Sequence, residues 1–81
     1  MDKLNKKLRE PRAALEAAIA KGRALRCIKT EVEYAELIFM TPSTLLRRRK
    51  APEDLTIAEL KRIAKVADIP VNEFAAALAR T

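Results

Sequence analysis

The chain has 81 residues, enough for one small hydrophobic core and too few for two; 49% of them are hydrophobic, but only 4% are aromatic and one is glycine. That balance favours helices over sheets. A formal net charge of +6 suits a polyanionic partner, and a chain with no histidine and a single cysteine has no set of ligands for an ordinary zinc site.

No apolar run approaches the ~18 to 20 residues of a membrane span, and the first residues lack the apolar stretch of a signal peptide. The expectation is a cytoplasmic protein with no metal and no cofactor. The charge is unevenly placed. Residues 1–29 carry nine cations against three acids, 30–46 carry three acids only, 47–50 are four cations, and 51–81 carry four cations against five acids.

In chain order, residues 2–10 set Leu4 and Leu8 one turn apart among cations, a thin apolar stripe that makes a marginal helix by itself. Pro11 suits the first turn of a new helix. Leu15, Ala18, Ile19, Gly22, Leu25 and Ile28 then recur at spacings of three and four, which predicts an amphipathic helix to about Lys29, with Gly22 a candidate break. Cys27, on the apolar side of that helix, is expected in the core.

Thr30 to Glu33 has the form of a capping box and starts a short helix at about Glu31. It runs through Tyr34, which its spacing places in the core, into Ile38, Phe39 and Met40. Thr41 and Pro42 then start the next helix: threonine caps with its hydroxyl, and proline at the first position has the right φ and no N–H to leave unpaired. If Leu45 faces the core, a turn of about 100° per residue sends Ser43, Arg47 and Lys50 to the opposite side, with Leu46 and Thr44 on the flanks. Residues 51–54 read as a loop. Thr56 to Glu59 is a second capping box, and Leu60, Ile63, Ala64 and Ala67 continue that helix to Asp68, a residue that tolerates a left-handed turn. Pro70 opens the last helix, with Val71, Phe74, Ala75 and Leu78 inward.

Thr30 to Phe74 resembles the Cro/repressor-like helix-turn-helix family of small phage and bacterial regulators, of the XRE type. The matching residues are Thr30, Glu33, Tyr34 and Ala35, Phe39 at the turn, then Thr41, Pro42, Ser43, Thr44, Leu45, Arg47 and Arg48; the stretch PEDLTIAELKRIAKVADIPVNEF is similar to the family's two packing helices. The resemblance implies an all-α bundle of about five helices in a lambda-repressor-like arrangement. Residues 1–29 would form a basic N-terminal extension and first helix, and 30–81 the helix-turn-helix and C-terminal packing helices of the same domain. Three positions depart from the pattern. Phe39 stands where the family has a left-handed glycine, Arg49 where a leucine packs inward, and Pro70 where a serine caps. The expectation for Phe39 is a reshaped turn or an exposed contact. Arg49 is expected to snorkel past the helix end or to reach phosphate.

The function this implies is sequence-specific recognition of double-stranded DNA by a homodimer, without catalysis. Ser43, Leu46, Arg47 and Lys50 are the expected base-reading residues, and Thr30, Thr41, Thr44, Arg48 and Arg49 the phosphate contacts. Candidate dimer contacts are Phe39, Met40, Phe74 and Leu78, with Leu4 and Leu8 of the extension as a further surface. The alternative is a protein-interaction module of the same fold, an antirepressor or phage assembly factor, which keeps the helices without reading DNA. An enzyme built on Glu31, Glu33 or Glu36 with Lys29 is disfavoured, because these acids already suit the cap and the start of a short helix.

Overall fold

The computed structural model describes the backbone of residues 2–79 and the side chains of residues 11–79. Five α-helices follow one another: α1 (Asp2–Leu25), α2 (Glu31–Leu37), α3 (Pro42–Lys50), α4 (Ile57–Ala67) and α5 (Val71–Ala79), with a 3-10 turn at Pro52–Asp54 before α4. The described residues include no strand, and none of their helices is long and apolar enough to cross a membrane.

The starts of α2, α3 and α4 are local in origin. Thr30 Oγ1 accepts from Glu33 N while Thr30 N donates to Glu33 Oε1, and Thr56 and Glu59 repeat the exchange, so two orphan donors are satisfied at each start. Thr41 caps α3 by accepting from Thr44 N, and Pro42 follows at the first helical position.

The ends of α1, α2 and α4 share one closure. Cys27, Phe39 and Asp68 adopt φ of 55°, 59° and 56°. In each case the N–H of the next residue reaches back five positions: Ile28 to Arg23 O, Met40 to Ala35 O and Ile69 to Ala64 O. This is the Schellman arrangement, in which the residue after the left-handed one makes an apolar contact with the helix it terminates. Ile28, Met40 and Ile69 are all turned toward the core.

The core draws on every helix. Leu15, Ala18 and Ile19 of α1 pack with Tyr34, Ala35 and Ile38, with Leu45, with Ile63, Ala64, Val66 and Ala67 of α4, and with Phe74 of α5. α1 lies against both α4 and α5. Gly22 is buried where α1 meets α4: a Cβ there would come within 2.9 Å of Val66 Cγ1 and 3.4 Å of Tyr34 Cε1. The chain's one glycine therefore serves close approach, and every left-handed turn is made without it. Tyr34 is fully buried, its hydroxyl has no partner among the described residues, and burial pushes its pKa up to about 12.

Several sequence expectations need correction. α1 is one helix from Asp2 to Leu25, passing through Pro11 instead of restarting there; a proline's φ is compatible with a helix, at the cost of the bond it cannot donate. Gly22 does not interrupt α1. The helix ends at Leu25 instead of Lys29 because the left-handed Cys27 terminates it, and for the same reason Cys27 is exposed instead of in the core. Residues 52–54 form a 3-10 turn where a loop was expected.

Leu45 is the one buried residue of α3, so Leu45→Ala is expected to cost ~2 to 5 kcal/mol, read as a lowered denaturant midpoint at constant slope. Gly22→Ala gains about 1 kcal/mol in helix propensity but drives a methyl into the stiff Val66 side chain, and the net result should be a lower melting temperature. In a Val66→Ala background the same change should be stabilising.

Candidate nucleic-acid interface

With Leu45 fixed inward, the remaining positions of α3 are set by the turn of the helix. Ser43, Leu46, Arg47 and Lys50 are all exposed, Leu46 to 51%, and they share the outward side of the helix. The structure thus brings together the four residues expected to read bases. Arg47 Nη2 also lies 3.4 Å from Thr44 Oγ1.

Arg48 and Arg49, the other two cations of α3 and expected at phosphate, are paired with carboxylates of the protein. Arg48 Nε donates to Glu59 Oε1 at 3.0 Å. Arg49 forks onto Glu16 of α1, Nε to Oε2 at 2.8 Å and Nη2 to Oε1 at 2.7 Å, and its Nη1 donates to Glu31 of α2. Both guanidiniums are turned toward carboxylates on neighbouring helices, so an anion would have to compete with Glu59, Glu16 and Glu31 for them. Their angular position carried the signal: Arg48 and Arg49 stand within about 60° of Leu45 on the helix and so border its buried side. The acids that hold them, Glu16, Glu31 and Glu59, are residues that sequence reasoning missed as partners.

The threonines expected at phosphate are committed first to helix starts. Thr30 Oγ1 donates to Glu33 Oε1 at 3.2 Å, and Thr41 Oγ1 donates to Thr44 Oγ1 at 3.0 Å. Thr30 and Thr41 remain exposed, while Thr44 is half-buried.

Among the candidate dimer contacts, Met40 is 8% exposed and Phe74 3%, which withdraws both. Met40 follows the left-handed turn into the core, and Phe74 is the inward residue of α5. Leu78 is half-buried against the core. Phe39 is 77% exposed, with the Arg62 guanidinium 4.9 Å above its ring. Its backbone is left-handed, with φ of 59°. The side chains of Leu4 and Leu8 lie outside the described residues.

Comparison of the chain with family models, with curated proteins and with solved structures finds no match.

Burial alone would raise the pKa of Glu59, but the Thr56 N–H and the Arg48 guanidinium together hold it below the ordinary glutamate value. A carboxylate with a depressed folded-state pKa stabilises the fold above its unfolded pKa and loses that contribution as pH falls through the folded value. Glu59→Gln retains a side chain able to complete the capping box while removing the charge. The wild-type protein should therefore melt above Glu59→Gln at neutral pH, with the gap narrowing below about pH 4. A gap that is constant with pH would show that the charge at this position adds nothing to stability.

Proposed function

We propose that this protein is a sequence-specific regulator that binds double-stranded DNA, with α3 entering the major groove as the second helix of a helix-turn-helix. The observation that carries the reading is the division of the cations on α3. Arg47 and Lys50 project outward with Ser43 and Leu46, while Arg48 and Arg49 are tied back to Glu59, Glu16 and Glu31. A helix held at its sides by ion pairs and by Leu45 beneath presents a rigid outward face, and rigidity is what base readout requires.

On this reading the long side chains of Arg47 and Lys50 reach guanine acceptors or adjacent phosphates, and Ser43 meets base edges near the helix start. Leu46 contacts a thymine methyl. Thr30, Thr41 and Thr44, at or beside the starts of α2 and α3, are placed to meet phosphate oxygens. The protein acts as a homodimer on a two-fold related operator in the cytoplasm of a bacterial cell, because a single small domain reads few base pairs. Phosphate contacts make binding fall steeply with salt.

Selection of bound duplexes from a random pool at physiological salt tests the reading, and a two-fold symmetric motif is the expected result. Binding without enrichment, lost uniformly as salt rises, would overturn it. Against the selected site, Arg47→Ala should cost ~1 to 3 kcal/mol and relax preference at one base position. Arg49→Ala should lower the melting temperature and leave the base preference unchanged.

A further inference from the structure

Phe39 presents two costs that the core does not offset, and its contact within the fold is the Arg62 guanidinium over its ring. Its left-handed backbone is one that glycine holds freely and that a bulky residue holds at roughly 1 kcal/mol or more, and its ring is left 77% in water. The core gains nothing from it. What the ring does is wall a groove of about 260 Å³, lined by Leu37, Phe39 and Val66 as apolar surfaces and by Arg26, Arg62 and Lys65 as cations. Among the described residues no acid lines this groove, and no residue of α3 does.

Its construction is specific. Arg26 Nε reaches the carbonyl of Val66 at 3.5 Å, which places that guanidinium beside the last turn of α4, and Arg62 is held over the Phe39 ring at 4.9 Å. The volume lies below the ~300 to 1,000 Å³ typical of small-molecule sites and suits one side chain. A phosphate backbone would use the three cations and leave Leu37 and Phe39 in contact with nothing. An apolar side chain flanked by carboxylates would use both halves of the lining.

We propose that this groove docks a segment of an acidic partner protein, with one aliphatic or aromatic side chain seated among Leu37, Phe39 and Val66 and neighbouring carboxylates paired with Arg26, Arg62 and Lys65. The docking is independent of DNA reading by α3. A second copy of this chain is a poorer occupant, since Lys61 is exposed next to Arg62 and adds to the positive charge of α4 beside the groove.

The test is a titration of the full-length chain, followed by amide resonances, with two synthetic peptides that share a Leu-Phe centre, one flanked by aspartates and glutamates and one by lysines, and with a short DNA duplex. The acidic peptide should give saturable shifts at Leu37, Phe39, Arg62 and Lys65, and the lysine peptide none. Phe39→Gly relaxes the backbone and should fold at least as stably as the wild type while binding the acidic peptide at least about tenfold more weakly; Arg62→Glu should do the same through charge. The proposal is overturned if the acidic peptide gives no saturable shift, or if its affinity is unchanged in both variants. It is also overturned if the duplex shifts the groove amides and Arg62→Glu weakens DNA binding, since the groove then belongs to a nucleic-acid contact. Failure of the duplex to bind at all would remove the DNA reading and leave the peptide result standing.

Discussion

The close approach of α1 to α4 at Gly22 is the constraint on which the other placements rest. Because no Cβ intervenes, Val66 and the Tyr34 ring fill the space beside the α1 backbone, and α2 is drawn in through the same tyrosine. Once α1 and α4 are fixed to each other, they present Glu16 and Glu59. Those two carboxylates receive Arg49 and Arg48 of α3. The orientation of a nine-residue helix with a single buried side chain is thus set by helices remote from it in sequence.

This arrangement answers a problem of scale. Leu45 alone fixes the depth of α3 but leaves it free to roll about its own axis. A bidentate fork on one side and an ion pair on the other remove that freedom. Partly exposed pairs of this kind contribute modestly to stability, on the order of 1 kcal/mol or less each, so their effect is felt in orientation more than in global unfolding. The four consecutive cations at 47–50 are therefore two populations, one facing water and one facing the protein.

Much of this was legible in the sequence because it is local. The capping boxes at Thr30 and Thr56, the Thr41-Pro42 start and the left-handed Asp68 each depend on residues within a few positions, and the structure places them as read. The inward positions of Leu15, Ile19, Leu45, Ile63 and Ala64 followed from helical spacing. What escaped was non-local or depended on which residue takes a left-handed turn. Cys27 lies on the apolar side of a helix only if the helix continues past it, and a positive φ at a cysteine has no strong sequence signal. Phe74 was placed inward by its spacing, but Met40 is an apolar residue that a surface or a core would accept equally, and only the turn after α2 carries it into the core. The partners of Arg48 and Arg49 sit 11, 18 and 33 residues away, beyond any local pattern.

The three left-handed turns bear on how long the native state lasts. A backbone with glycine at Cys27 and Phe39 would relieve strain on the order of 1 kcal/mol at each, with less to gain at the more tolerant Asp68. Such sums are a sizeable share of the ~5 to 15 kcal/mol that holds a typical domain folded. The molecule therefore stands short of the stability its own architecture permits. Because such a margin sets the fraction of molecules that are unfolded at any moment, a few loop dihedral angles enter the stability of this protein alongside its core.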